Sequence, residues 1–362
     1  MDQASLTPVD RARTLADKVL ARAAECVDRD AIIPTTHFAA LAEAGLFGIL
    51  GPLNAGGSDL SAHETRRVIA AIAGGCGATF FVWVQHHGVV RALRGSQNTH
   101  LRDSYLAPLC VGQMIAGVAF AHARRIGPAA VRATRVARGW RFDGFAPWTT
   151  SWGIAQRFVV VGESDAGELV WVMIDGKTTS GITPRHLELP VLAATGTVAL
   201  EFNGFVAADA DVMTIIDAGE WRVADRLTSS IGQTAALGVA ERAVSLLAGT
   251  TERGNGNDLD VEEARSALLE LLDGCWADDD QLVSEMSAPI NDRETWIREA
   301  SLHRARCLEM ARTATTVLLA ASGGGGLDLS HPAQRLAREA MFYVIQAQTA
   351  DGRSATLRAL TS

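Results

Sequence analysis

The chain has 362 residues, of which 48% are hydrophobic, 20% charged and 6% aromatic. Its formal net charge is −8, from 33 Lys+Arg against 41 Asp+Glu. So much apolar material excludes a mostly disordered chain, and the acidic balance argues against a general nucleic-acid binder, which carries a basic face. The length predicts roughly two to three domains.

The N-terminus, MDQASLTPVDRARTLADKVLARAAE, is charged from its second residue and lacks the basic-then-apolar order of a signal peptide. No window reaches about 18 uncharged apolar residues, so no transmembrane helix is expected. Five cysteines (Cys26, Cys76, Cys110, Cys275 and Cys307) are scattered without CxxC spacing and read as reduced, mostly buried thiols. A soluble, cytoplasmic protein is expected.

From Leu6 to about Val111, apolar residues recur at helical spacing, as in Ala12–Leu20 and His37–Leu46, with glycines at Gly45, Gly51, Gly56-Gly57 and Gly74-Gly75 as caps and turns. From about Ile115 the period becomes that of strands. Ala130–Phe145 alternates around a Gly139-Trp140 turn, and Arg157–Gly162, Leu169–Ile174 and Thr197–Phe205 follow, predicting a compact β barrel or sandwich of about 100 residues. Helix returns from about Gly219, with stretches at Asp225–Thr250, Val261–Leu272, Thr295–Ala321 and Pro332–Thr349. Gly254-Asn255-Gly256-Asn257 and Asp278-Asp279-Asp280 read as loops or helix ends. The expected fold class is α+β: a helical domain over 1–114, a small β-barrel domain over 115–215 and a C-terminal helical bundle over 216–362.

Four motifs occur in a recognisable order: Ala44-Gly45-Leu46-Phe47-Gly48-Ile49 with Pro52 and Gly56-Gly57; Gly95-Ser96-Gln97 with Tyr105-Leu106 and Pro108; Pro147-Trp148-Thr149-Thr150-Ser151; and Gly323–Gly326 followed by Pro332 and Arg338-Glu339-Ala340. In this order they resemble the acyl-CoA dehydrogenase superfamily along nearly the whole chain. The resemblance implies a helical domain, a β domain and a four-helix bundle. It also implies FAD bound between the β domain and the bundle, an acyl thioester along the flavin, and a homodimer or homotetramer.

Trp148-Thr149-Thr150 is the strongest cofactor candidate. A flavin ring needs a flat apolar neighbour and a hydrogen-bond donor near its reducible nitrogen, and an indole followed by hydroxyls at a strand end offers both. The resemblance gives Trp148 the stacking role and Thr150 the hydrogen bond near N5; the bland alternative is a core Trp with two strand threonines. Gly323, Gly324 and Gly325 free backbone N–H groups to face a phosphate, and by resemblance they touch the FAD of a neighbouring subunit; the alternative is a helix cap and turn. His86-His87 point in different directions on a helix and make a poor chelate, so no metal is expected. GxSxG and Walker loops are absent from the sequence.

The chain departs from the family in three places. The usual catalytic Glu, nine residues after the Arg of "R-D-A", falls on Ala347, which takes no proton. A base carried on the first bundle helix would fall on Asp225, in Asp225-Arg226-Leu227; the alternative is a helix carboxylate paired with Arg226 or Arg222. The loop that helps to hold flavin and substrate is replaced by Ala121-His122-Ala123-Arg124-Arg125-Ile126-Gly127-Pro128, whose guanidiniums suit a phosphate or carboxylate. The family's diphosphate-binding Arg falls on Arg253, without the Phe that usually follows. The resemblance therefore implies a flavin-dependent oxidoreductase that desaturates an acyl thioester. Its alternatives are the flavin-dependent monooxygenase branch, which Pro332-Ala333-Gln334-Arg335 resembles, and a member that has lost redox chemistry and binds or scaffolds.

Overall fold

The computed structural model describes residues 6–231, 233–251, 258–286 and 288–361. The N-terminal helices are α1 (Pro8–Leu15), α2 (Ala21–Asp30), α3 (Thr35–Glu43), α4 (Ala62–Gly75), α5 (Gly77–Arg94) and α6 (Thr99–Cys110). Their starts follow capping chemistry. The Thr7 hydroxyl accepts from the Asp10 amide, Ser61 and Glu64 cap α4 reciprocally, and Asn98 accepts from the Leu101 amide. A wide π-type turn over Ala16–Leu20 joins α1 to α2.

The strands are β1 (Ala116–Ala119), β2 (Val131–Val136), β3 (Gly139–Thr149), β4 (Arg157–Glu163), β5 (Glu168–Asp175), β6 (Ile182–His186), β7 (Val198–Ala208) and β8 (Val212–Asp217). Among the described residues the barrel or sandwich expected from the sequence is one eight-stranded sheet in the order β6-β7-β3-β2-β4-β5-β8, with β1 added in parallel to β4. β4 carries the Val159-Val160-Val161 run and is buried on both faces, as a continuous apolar strand requires. The β2–β3 hairpin turns at Ala137-Arg138, because Val136 pairs with Gly139; the predicted Gly139-Trp140 turn is instead the start of β3.

The bundle comprises α7 (Ala218–Ser229), α8 (Thr234–Thr251), α9 (Asp258–Glu285), α10 (Arg293–Ser322), α11 (Pro332–Ile345) and α12 (Ala350–Thr361). The single stretch predicted from Asp225 is two helices, α7 and α8. The acidic triplet Asp278-Asp279-Asp280 is also misread by composition. It lies inside α9, where each carboxylate has a cation: Arg306 for Asp278, Arg66 for Asp279, and Arg67 for Asp280. Asp279 is buried, and its partner comes from α4, so the triplet fastens the bundle to the N-terminal helices. The same seam admits no side chain at Gly238, where a Cβ would stand 2.0 Å from the Ala70 carbonyl oxygen. No described helix is long and apolar enough to cross a membrane.

Candidate active site

The strand-end motif owes its shape to a bulge. Ala146 pairs with Leu200 and Thr149 with Val198, so Pro147 and Trp148 together oppose Ala199 alone. Proline has no N–H for the ladder and is tolerated at such a bulge. Trp148 takes a left-handed backbone (φ 62°), and its indole is turned outward, 54% exposed. An indole so exposed is not a fully buried core residue. Thr149 and Thr150 behind it are buried.

The two threonines differ in hydrogen bonding. Thr195 Oγ1 donates to the Leu192 carbonyl at 2.8 Å, lies 2.8 Å from Thr197 Oγ1, and Thr197 lies 3.1 Å from Thr150 Oγ1. Each hydroxyl has one proton. Thr195 uses its own on Leu192, so Thr197 must donate to Thr195 and Thr150 to Thr197. The Thr150 proton therefore points inward, leaving its oxygen as an acceptor. The Thr149 hydroxyl is buried with no partner within the protein, and so is that of Ser151 at the end of the motif. The sequence could not show this chain of hydroxyls, because it runs through Thr195 and Thr197 on another segment.

On the bundle side, Asp225 lies on α7 and is held by Arg124. The Arg124 Nε and Nη2 atoms donate to its two carboxylate oxygens at 2.7 and 2.8 Å, and Nη2 also reaches Ser229 Oγ at 3.1 Å. The Asp225 side chain is 13% exposed. The predicted partners are engaged elsewhere: Arg222 with Glu163 and the Ala123 carbonyl, Arg226 with Glu294 and Asp351. The replaced loop thus supplies a guanidinium that does hold a carboxylate, the protein's own. Arg124 sits in a 3-10 turn, Ala121–Arg124, anchored by buried His122, whose Nε2 lies 2.9 Å from the Val161 carbonyl. Burial lowers His122 to about 4, so the ring is neutral and donates through Nε2.

Ala347 occupies the corner between α11 and α12 in a left-handed conformation (φ 49°). Arg304 of α10 pins this corner by donating to the Gln346 carbonyl at 2.8 Å, and burial lowers that guanidinium to about 10. Gly323–Leu327 form a 3-10 turn after α10. Gly323 (φ 59°, ψ −154°) has a backbone that side-chain-bearing residues rarely adopt. Gly324 and Gly325 have no such constraint, and a Cβ on either would meet open space. Arg253 lies outside the described residues. Of the remaining motifs, Gly95-Ser96-Gln97 is structural: Ser96 Oγ donates to the Met213 carbonyl at 2.8 Å and ties α5 to β8. His86 and His87 are buried side by side, and His86 Nδ1 accepts from the Ala116 amide.

The whole chain therefore has the acyl-CoA dehydrogenase fold. Residues 5–113 match the family described as acyl-CoA dehydrogenase, N-terminal domain. Benzylmalonyl-CoA dehydrogenase of Aromatoleum aromaticum is 22% identical over 351 residues, 92% of each chain. Butyryl-CoA dehydrogenase from Megasphaera elsdenii superposes with a TM-score of 0.82 at 16% identity, covering 100% of this chain and 99% of the other. A structure of PigA with FAD and proline superposes with a TM-score of 0.81 at 17% identity, covering 99% and 97%.

Proposed function

We propose that this protein is an FAD-dependent oxidoreductase that removes hydrogen from the α and β carbons of an acyl thioester. The single observation that carries the reading is the bulge that turns the Trp148 indole out of the sheet, more than half exposed. An exposed indole is a cost to the chain by itself and fits a flat ring. Trp148 would stack on that ring, with Thr149 and Thr150 in the layer behind it, and the Gly324-Gly325 backbone would face a phosphate, in a homodimer or homotetramer. Bound FAD would supply the two-electron acceptor. The similarity to proteins named as CoA-ester dehydrogenases supports a thioester as substrate.

Asp225 is the proposed proton acceptor, at its Oδ oxygens. Arg124 orients both oxygens through its planar fork. That same contact occupies the oxygens, and Ala347 offers none. The absence of a free carboxylate at both positions favours, as the second reading, oxygenation by reduced flavin on the same scaffold.

The deciding experiment is the visible spectrum of purified protein before and after addition of FAD and desalting, followed by anaerobic titration with acyl thioesters. Retained flavin bands that bleach with a thioester support the proposal. Retained bands that bleach with none, together with oxygen consumption on reduced flavin, support the second reading. A colourless protein that holds no added FAD overturns both and leaves a binding or scaffold subunit.

A further inference from the structure

Helices α9 and α10 run antiparallel through the short connection between Glu285 and Arg293. Their register is fixed by buried His303, whose Nε2 lies 3.4 Å from Asp279 Oδ1. Cys275 is four residues before Asp279 and Cys307 four residues after His303, so the two thiols occupy the same facing helix surfaces one turn further along. The two side chains lie close enough to interact. Cys307 is buried, with its sulfur 3.3 Å from His303 Nε2, while Cys275 is partly open to solvent. The other three cysteines have no thiol partner among the described residues: Cys26 is exposed on α2, Cys76 and Cys110 are buried elsewhere.

We propose that Cys275 and Cys307 form an oxidative modification site, a dithiol that hydrogen peroxide converts to a disulfide clamping α9 to α10. The chemistry assigns the two sulfurs different roles. Contact with the Cys307 thiol favours the Cys275 thiolate, with the nearby Arg306 acting in the same direction, whereas burial pushes the Cys307 thiol well up. The thiolate is the nucleophile, so Cys275, the more acidic and more accessible, reacts first. Its sulfur attacks one peroxide oxygen, the O–O bond breaks, hydroxide leaves, and Cys275 is a sulfenic acid. The Cys307 sulfur then attacks Cys275, the S–O bond breaks, and the hydroxyl leaves with the Cys307 proton as water. In sum, two thiols and one peroxide give one disulfide and two waters; sulfur is oxidised and peroxide oxygen reduced. A thiol reductant reverses it.

The site is far in sequence from Trp148 and independent of the flavin reading. A clamp there closes the bundle hairpin one turn from Asp279, which Arg66 joins to α4.

The test exposes the folded full-length protein to hydrogen peroxide, alkylates remaining thiols under denaturing conditions, and maps cysteine peptides by mass spectrometry without reduction. The expected result is a linked Cys275–Cys307 peptide pair as the main product, reversed by dithiothreitol, with Cys76 and Cys110 still alkylated. The Cys307→Ser variant should instead accumulate a Cys275 sulfenic acid that dimedone traps. Cys275 and Cys307 both remaining alkylatable, or Cys275 passing to sulfinic acid in the wild-type protein without linkage, would overturn the proposal. The wild-type map decides alone if the variant does not fold.

Discussion

The strand end at Trp148 and the bundle residues around Asp225 are built by opposite means. At the strand end, the protein leaves groups unused: an indole outside the core and a Thr149 hydroxyl without a partner. In the bundle the carboxylate is engaged instead: Asp225 has both oxygens on Arg124, and the α11–α12 corner holds Ala347, pinned by Arg304, whose Nε and Nη1 have no partner. An unsatisfied buried donor and an exposed aromatic raise the free energy of the isolated chain, whereas a paired carboxylate lowers it. On the proposed function the strand end is the side prepared for a ligand, while Asp225 stays closed on Arg124.

The strongest way to break this contrast is Asp225→Asn. If Asp225 accepts a substrate proton, thioester-dependent bleaching should slow by about 10²- to 10⁴-fold, the usual worth of a positioned base, while FAD stays bound. Rapid-mixing kinetics under anaerobic conditions measure it. Unchanged bleaching would make Asp225 only the counter-ion of Arg124.

Acid should destabilise the fold through its buried histidines. His122, which anchors the Arg124 turn, has a folded pKa near 4 against an ordinary 6.5. The unfolded chain therefore takes up protons first as pH falls, so the stability is complete above about pH 6.5 and lost progressively towards pH 4. The difference corresponds to about 3 kcal/mol for this residue. Burial depresses His86 and His87 in the same direction, which deepens the loss over that window. Thermal melts from pH 7.5 to 4.5 should show a flat Tm and then a fall. The His122→Gln variant, which keeps a donor for Val161 and does not titrate, should fall less. A Tm independent of pH would remove the linkage.

Trp148→Ala addresses the prepared side. Loss of a stacked indole should weaken FAD by about 2–3 kcal/mol, on the order of 30- to 150-fold, with little change in the Tm of apoprotein because the ring is mostly outside the core. Equilibrium FAD titration and apoprotein melting separate these outcomes; a large apoprotein destabilisation with unchanged FAD affinity would return Trp148 to a packing role. Thr197→Val is milder. It strands the inward Thr150 proton and should cost about 1–2 kcal/mol in stability, read from urea denaturation.

The sequence carried the α–β–α order clearly, because the hydrophobic period changes near Ile115 and again near Gly219. It also carried Trp148, since an indole beside proline and threonines at the end of a strand is locally distinctive. It did not carry the bulge, which depends on how Ala146 and Thr149 register against β7. The Asp225–Arg124 pair was similarly hidden: the partners are 101 residues apart, and neighbours at Arg222 and Arg226 were the natural local candidates. The Asp278–Asp280 triplet failed for the same reason in reverse. Like charges in sequence predict a loop, but inside α9 they meet Arg306, Arg66 and Arg67 from other elements. Local composition identifies which residues are unusual, while the partner that neutralises them is a property of the tertiary fold.

The smallest effect is the most discriminating for the glycine turn. Gly323→Ala should cost about 1–3 kcal/mol, because its backbone lies where only glycine is comfortable. Gly325→Ala should leave the melting temperature of the apoprotein unchanged within about 0.5 kcal/mol, since its φ is ordinary and its Cβ would point into open space. Nothing in the chain itself therefore explains a glycine at 325. If the turn faces the phosphate of a cofactor held by another subunit, the added methyl should weaken FAD retention or shift the subunit equilibrium, both measurable by titration and sedimentation. A Gly325→Ala protein with the same Tm, FAD affinity and assembly as the parent would make the run a plain helix terminus, and the prepared side of the site would then end at Trp148 and Thr149.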